Sequence, residues 1–200
     1  LSRRDPFLFH SLLTPFLNTG LLEPAEVVGE VLAYAKKHRL PINSVEGFIR
    51  QVIGWREFIF GVDRHFGERQ WSANHWKHER KLTQHWYDGT TGLPPLDDAI
   101  QKALRYGYCH HIERLMVTGL FALLLGVRPQ EIHHWYLGIY VDAFEWVELP
   151  NVIGMSQYAD GGLLASKPYI ASGRYIERMG NHCDHCPRRP GDATGPRACP

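Results

Sequence analysis

Apolar side chains return at helical spacing over much of the chain. Between Pro24 and Arg39 they recur every three or four positions, with a proline and an acid in the first turn and bases in the last turn. This is the pattern of an amphipathic helix with defined ends. Comparable apolar faces predict further helices over about 44–59, from Asp97 onward, and over 112–125, 129–140 and 172–179. No run alternates between apolar and polar residues over a useful length, so the pattern predicts an all-α fold.

Three stretches lack this periodicity and contain many helix-breaking residues. Residues 67–96 are rich in Trp and His and end in a Gly-Leu-Pro-Pro run, and residues 147–173 contain Pro150, Gly154 and a Gly-Gly pair. We therefore predict long loops in both. From Gly180 onward the chain has four prolines and no apolar repeat. We divide the sequence into a helical domain, 1–179, and a cysteine-rich tail, 180–200.

The composition is that of a folded protein with a substantial core. Of the 200 residues 44% are apolar. The chain has 22 Lys and Arg and 21 Asp and Glu, which gives a formal net charge of +1. These values argue against a disordered chain and a uniformly basic surface, but they allow a local basic groove. The longest apolar run, Leu115–Val127, is interrupted and shorter than the ~20 residues of a membrane helix. With no signal-peptide pattern either, we expect a cytoplasmic protein, and we interpret the sequence as a piece of a longer one.

Three of the four cysteines stand in the tail. Cys183 and Cys186 form a Cys-x-x-Cys turn, and Cys199 follows after twelve further residues. Thiolates bind zinc or the iron of clusters, and a Pro- and Gly-rich segment without a core gains most from a bound metal. Zinc could take His182 or His185 as a further ligand, whereas a cluster would need a ligand from elsewhere. Three unrelated buried thiols are the alternative.

Two histidine pairs could carry proton chemistry. His110 and His111 lie in an apolar context beside Cys109, and His133 and His134 lie on a more polar helix. Adjacent helical residues point about 100° apart, so one packed ring and one solvated ring is a reasonable interpretation of either pair. In the functional alternative, one ring of the first pair donates a proton while its neighbour sets the tautomer or pKa. For the second pair we favour a structural role.

Polar side chains also interrupt segments that are otherwise apolar. Ser11 and Thr14 stand where a helix begins, so their hydroxyls could cap that helix or hold a phosphate group. Charged residues in such segments need partners, either an opposite charge in a surface ion pair or a bound ligand. The charged residues of this kind are Arg50, Arg56, Glu57, Arg114 and Asp142.

Several long motifs, in this order, resemble the flavin-binding helical domain of the cryptochrome/photolyase family. The similarity is greatest to its bacterial iron–sulfur branch, the prokaryotic (6-4) photolyases and related cryptochromes. The motifs are SLLTPFLNTGLL at 11–22, EGFIRQVIGWRE at 46–57, HHIERLMV at 110–117, WVELPNVIGMS at 146–156, Lys167-Pro168-Tyr169 and the cysteine tail. The resemblance covers nearly the whole chain. It implies that an N-terminal α/β domain with an antenna chromophore precedes Leu1 in the whole protein.

A U-shaped FAD buried between helices is the cofactor that the resemblance implies. It implies that Ser11 and Thr14 bind the FAD phosphates and that Arg50 and Glu57 lie beside flavin and DNA. It also implies that Arg114 and Asp142 form an ion pair beside the isoalloxazine ring. Asn151 would lie near the flavin N5 edge.

The reaction that the resemblance implies is light-driven repair of UV-damaged DNA by a monomer. Blue light excites reduced FAD, and an electron passes to a lesion flipped out of the duplex, expected to be the (6-4) photoproduct. The implied active-site residues are His110, His111, Glu148, Tyr169 and Tyr175, and the implied electron-transfer residues are Trp135, Tyr136 and Tyr87. Tyr87, next to Trp86, stands where the family usually has Trp.

The cysteine pattern departs from the branch at one position. The branch uses four cysteines for a 4Fe-4S cluster, and Cys183, Cys186 and Cys199 match three of them. The fourth position corresponds to Pro95, and Cys109 lies fourteen residues later, beside the histidine pair. A cluster here would therefore take its fourth ligand from Cys109, a histidine, water or a non-cysteine group outside this sequence.

Two other functions stay open at the level of the sequence. One is a blue-light photoreceptor cryptochrome with the same flavin and no repair, which a repair assay under blue light would distinguish. The other is a zinc-stapled nucleic-acid-binding module without catalysis, which visible flavin absorbance would exclude.

Overall fold

The computed structural model describes residues 1–192 and 194–199, and within these ranges the chain is helical. The α-helices are α1 (Thr14–Thr19), α2 (Pro24–His38), α3 (Ile42–Ile49), α4 (Arg56–Trp71), α5 (His85–Asp88), α6 (Pro94–Tyr106), α7 (His111–Glu113), α8 (Leu120–Leu125), α9 (Pro129–Ile139), α10 (Glu145–Leu149) and α11 (Gly173–Met179). A 3₁₀ turn follows at Cys183–His185. Outside two isolated bridges, no β pairing is present in the described ranges, which confirms the all-α prediction.

Prolines and capping residues define where the longer helices begin. Helices α2, α6 and α9 each start on a proline, whose fixed φ suits the first helical position. Before α2, Glu23 and Glu26 form a reciprocal capping box, and the bases of its last turn favour the negative end of the helix. Arg39 then ends α2 in the left-handed conformation.

Three segments have π-helical hydrogen bonding. They are π1 (Arg50–Trp55), between α3 and α4; π2 (Arg114–Gly119), between α7 and α8; and π3 (Pro150–Ser156), directly after α10. The prediction of a loop over 147–173 is therefore wrong up to Ser156. Pro150 is the first residue of π3 and directly continues α10; because proline has no N–H to bond four residues back, it interrupts the α-helical pattern where π bonding begins. From Gln157 to Ser172 the chain is irregular, as predicted.

The main apolar core lies between α6, α9, π2 and π3. It is built from buried aliphatic and aromatic side chains that include Trp86, Ile100, Val117, Ile132, Trp135, Tyr136 and Val152. Helix α10 and π3 also pack along α4. Segments π2 and π3 also pack against each other.

The tail docks against the beginning of the chain. The Leu1 ammonium group donates to Met179 O at 2.8 Å, and Arg3 N donates to Asn181 Oδ1 at 3.1 Å. His182 is buried and its Nε2 lies 2.8 Å from Asp98 Oδ2 on α6. No helix in the described part of the chain is long and apolar enough to span a membrane.

Candidate functional site

A cavity of about 730 Å³ opens between the N-terminal segment and the helices that carry π1, π2 and π3. Its volume lies in the range of ligand-binding pockets, about 300–1,000 Å³. Of the residues assigned above to cofactor binding or catalysis, seven lie in its wall: Ser11, Thr14, His111, Arg114, Asp142, Glu148 and Asn151. Residues that are far apart in the sequence thus meet at one site.

Each π segment contributes side chains to the cavity wall. Gln51 and Trp55 come from π1, Arg114 from π2, and Asn151 and Ser156 from π3. A π segment bonds to the residue five positions back, which changes the direction in which its side chains point, and such segments are frequent at functional sites.

Arg114 and Asp142 form an ion pair in the cavity wall. The guanidinium donates to both carboxylate oxygens of Asp142, at 2.9 and 3.0 Å, and Nε donates to Cys109 O at 2.9 Å. Its carbon lies 3.9 Å from the centre of the Tyr140 ring. Although burial opposes the charge, Asp142 raises the pKa of Arg114 further. The bonds to Asp142 therefore hold the positively charged Arg114 guanidinium in one position at the cavity wall.

Glu148 and Asn151 lie one turn apart on this wall. Burial raises the pKa of Glu148 to about 7, and Arg114 offsets this only in part because Asp142 faces it too. Asn151 Nδ2 donates to Val147 O at 2.7 Å. A carboxamide has two donor hydrogens and an acceptor oxygen, so this bond orients the group and leaves a donor and an acceptor for a ligand.

The histidine pair is split between two roles. His110 caps α7, because its Nδ1 accepts a hydrogen bond from Ile112 N at 3.1 Å. His111 opens onto the cavity and its side chain is solvent-accessible there; crowding by surrounding protein atoms, followed by the Arg114 charge, lowers its pKa to about 4. A third histidine, which the sequence did not reveal, lies beside them: His10 lines the cavity and its ring centre is 4.2 Å from that of His110. A single His next to Ser11 carried no pattern that could identify it.

Besides His110, four of the residues assigned to cofactor binding or catalysis lie outside the cavity wall. Arg50 is exposed and paired with Glu46, and Glu57 is also exposed. Tyr169 is exposed, and Tyr175 packs against the apolar cluster around Met116 and Met155. The structure therefore gives these four residues no contact with the flavin candidate site, and their assigned roles stay predictions.

Aromatic rings lead from the cavity into the core. Tyr136 lies in the wall, its ring centre 5.6 Å from that of Trp135, and Trp135 lies 5.6 Å from Trp86. Trp135 Nε1 also donates to Trp86 O at 3.1 Å. Trp86 is buried, whereas Tyr87 points outward and is 53% exposed. The ring in contact with Trp135 is therefore Trp86, not Tyr87.

The cavity wall fits a large, partly polar ligand with an aromatic portion. Tyr108 Oη is buried at the wall and has no partner within the described residues, and a buried hydroxyl normally has one. Trp55 and Phe48 offer apolar surface nearby. These features, together with Asn151 and the Arg114 charge, suit a flavin ring and its polar edge.

The three tail cysteines line a second, smaller cavity. Cys183, Cys186 and Cys199 share it with Pro95, Ser172 and Arg188, and its volume is about 90 Å³. Thiolates bind zinc as well as the iron of clusters, so the shared cavity suits either kind of group.

Neither His182 nor Cys109 belongs to the wall of that cavity. His182 is bonded to Asp98 instead. Cys109 is buried in the main core, where its Sγ lies 2.9 Å from Ala99 O and burial raises its pKa to about 12. The position that corresponds to the fourth cluster ligand, Pro95, does line the cavity.

Comparison with known proteins places the chain in a family. Residues 48–176 match the family described as the FAD binding domain of DNA photolyase, and the chain belongs to that family. Over 98% of its length it is 47% identical to a (6-4) photolyase of Agrobacterium fabrum, of which it spans 39%. It is also 27% identical, over 84% of its length, to 33% of a chloroplastic or mitochondrial cryptochrome DASH of Ostreococcus tauri.

A solved structure shows the same fold. The crystal structure of a bacterial class III photolyase from Agrobacterium tumefaciens matches with a TM-score of 0.68 and 22% identity, over 88% of this chain and 40% of that one. The chain thus spans about two fifths of the length of these photolyases.

Proposed function

We propose that the protein containing this chain repairs UV-damaged DNA with light, using FAD held in the 730 Å³ cavity, and that its substrate is the (6-4) photoproduct. The observation that carries the proposal is the convergence of the Arg114–Asp142 pair, Asn151, Glu148 and His111 on one cavity, in a chain of the photolyase FAD-binding family. When bound, reduced FAD supplies the photoexcited electron that the lesion accepts.

The polar wall would hold and orient the cofactor. Arg114 is fixed by two bonds to Asp142, so it offers a preorganised positive charge beside the flavin ring. Asn151, oriented by Val147 O, would contact the flavin N5 edge. Ser11 and Thr14, which also line the cavity, are the candidates for the phosphate groups.

His111 is the candidate for proton transfer to the lesion. It faces the cavity, and its pKa of about 4 means that it is neutral at pH 7 in the absence of ligands. A neutral ring must first take up a proton from solvent, and the negative charge of an electron added to the lesion favours that uptake because it raises the pKa of the ring. The protonated ring can then pass this proton to the lesion and return to its neutral form. His110, which caps α7 through Nδ1, would carry its proton on Nε2.

A series of aromatic rings would connect the cavity to the interior. Tyr136, Trp135 and Trp86 lie in steps of 5.6 Å between ring centres, short enough for an electron to pass from ring to ring. We assign the third position to Trp86 because Tyr87 points away from Trp135.

Repair of a defined lesion tests the proposal. The purified protein should show flavin absorbance. In blue light it should restore the two thymines of an oligonucleotide that carries one (6-4) photoproduct, and chromatography of the oligonucleotide measures this repair. A second oligonucleotide with a cyclobutane dimer tests the lesion class. Flavin with photoreduction but no repair of either lesion would support the photoreceptor alternative, and absence of flavin would support the nucleic-acid-binding alternative.

Single variants test the assigned residues. His111→Ala should lower repair by about 10²–10⁴-fold, the usual contribution of general acid catalysis, and keep FAD bound. The exposed His134 offers a matched control, since His134→Ala should repair normally. Asn151→Ala should change the rate of flavin photoreduction, measured by absorbance during illumination.

We also propose that Cys183, Cys186 and Cys199 hold an iron–sulfur cluster in which the fourth ligand is not a cysteine. Support comes from the convergence of the three thiols and Pro95 on one cavity. Iron and acid-labile sulfide analysis of protein prepared without oxygen tests this.

An antenna chromophore, which the resemblance assigns to another domain, would appear as a band in the repair action spectrum that flavin alone does not produce.

A further inference from the structure

A buried lysine lies at the centre of four segments of the chain. Lys102 Nζ donates to Asp98 Oδ2 at 2.6 Å, to Glu113 Oε1 at 2.7 Å and to Ser2 O at 2.6 Å. An ammonium group has three donor hydrogens, so all three are used. Its side chain and that of Glu113 are 7% and 3% exposed. Burying charges in this way is costly unless each is paired and hydrogen-bonded, as here.

This arrangement excludes a metal at the same place. Asp98, Glu113 and His182 offer ligand atoms within 4.8 Å of one another, but Lys102 Nζ already lies between the two carboxylates. The ammonium takes the place that a cation would take. The cluster therefore needs a different explanation.

Glu113 connects this lysine to the histidine turn. While Oε1 accepts from Lys102, Oε2 accepts from His110 N at 3.2 Å, and His110 Nδ1 in turn accepts from Ile112 N. The two bonds form a reciprocal cap at the start of α7. Since Nδ1 accepts a hydrogen bond, the ring proton of His110 is on Nε2. The same turn directs the next residue, His111, to the cavity.

We infer that Glu113, with its carboxylate fixed by Lys102, is the positioning residue of the His110–His111 turn: it sets the tautomer of His110 and the direction of His111. The inference rests on the proposed repair function for its consequence, but the tautomer is a property of the protein without flavin, light or DNA.

Two double variants with the same change of charge separate this role from simple stability. Lys102→Met/Glu113→Gln and Lys102→Met/Glu113→Leu each remove one positive and one negative charge and leave Asp98 paired with His182. Replacing a buried ion pair by neutral side chains of similar size is often tolerated. The variants differ at one point. The amide oxygen of the introduced glutamine can still accept a hydrogen bond from His110 N, whereas leucine has no acceptor. In both variants the lysine is absent.

The tautomer of His110 is read by ¹⁵N NMR of protein labelled in the histidine rings, with the signal assigned by its loss in His110→Ala. We expect the glutamine variant to keep the Nε2–H form of the unmodified protein, and the leucine variant to show a mixture of tautomers. Repair should fall by about 10²-fold in the leucine variant, the typical cost of misplacing a reacting group by ~1 Å, with FAD still bound.

Either of two results would overturn the inference. One is a leucine variant that keeps the Nε2–H form of His110; the other is an equal loss of that form in both variants. Lys102→Met/Glu113→Met gives the same comparison with a more adaptable side chain if leucine does not pack. Because the NMR result needs no repair activity, failure of this inference and failure of the proposed function give different results.

Discussion

Glu148 is a carboxyl group whose pKa burial raises to about 7 although an arginine lies nearby. A raised pKa means that the folded protein binds this proton more tightly than the unfolded chain does. The associated stability is therefore complete below pH ~4.3, the pKa of an unperturbed Glu, and is lost as the pH rises through about 7.

Glu148→Gln should remove this dependence on pH. In the flavin-free protein we expect the variant to be more stable than the unmodified protein at pH ~8, by about 3–4 kcal/mol from the size of the shift, and little different at pH ~4.5. Urea unfolding at both pH values measures it. Glu145→Gln, at an exposed position of the same helix, is the control; an equal gain there would contradict the assignment to burial.

Arg114 and Asp142, unlike Glu148, form a pair in which each charged group is stabilised by the other. Asp142→Asn would leave the buried Arg114 charge without its carboxylate, which typically costs about 3–5 kcal/mol. The exposed pair of Arg197 and Asp192 provides the comparison, since such pairs contribute about 0–1 kcal/mol. Thermal unfolding of Asp142→Asn and Asp192→Asn should therefore differ clearly. Similar small losses would mean that Arg114 is solvated in solution.

At the scale of helices, Gly119 explains how π2 can exist beside π3. A Cβ at this position would lie 2.7 Å from Arg114 O, five residues earlier, and would overlap Ser156 Oγ. Gly119→Ala should therefore destabilise the protein by about 1–3 kcal/mol, as overpacking does, and weaken flavin binding because Arg114 and Ser156 both line the cavity.

The control for this helix-scale prediction is Gly138→Ala. Gly138 lies inside α9, and a Cβ there meets no atom within 4 Å. Alanine should stabilise this helix by about 0.5–1 kcal/mol. Denaturant unfolding and flavin titration of both variants measure the difference, and a harmless Gly119→Ala would show that π2 relaxes to an ordinary α-helix.

The same π segments mark where helical periodicity stops being informative. The 3.6-residue repeat predicted α2 and α9 well, because prolines and charged ends define them. It could not predict that π1 would bring Gln51 and Trp55 to the cavity and leave Arg50 outside, since a switch to i−5 bonding alters which side chains face inward. Nor could it rank Trp86 above its neighbour in the chain, because that choice depends on contact with Trp135 across the core.

At the scale of the whole molecule, distant segments close both cavities. The residues of the flavin candidate site come from positions 7 to 156, and the cysteine cavity combines Pro95 with the tail. The motifs supplied candidate residues from distant parts of the chain, and seven of those assigned to cofactor binding or catalysis meet at one cavity. Contacts such as His10 with His110, or Lys102 with Ser2, depend on how the chain returns on itself, and no local pattern encodes them.

The cysteine tail gives the last prediction, because three of the four cysteines line one cavity and the fourth lies elsewhere. Cys186→Ala should lower the iron content of protein prepared without oxygen, since Cys186 lines the cavity with Cys183 and Cys199. Cys109→Ala should leave it unchanged, because that thiol is buried in the main core against Ala99 O. Iron, sulfide and zinc are measured in parallel on both variants. Equal iron loss would make Cys109 the fourth ligand and require the chain before it to rearrange, whereas zinc without sulfide would replace the cluster by a single-ion site.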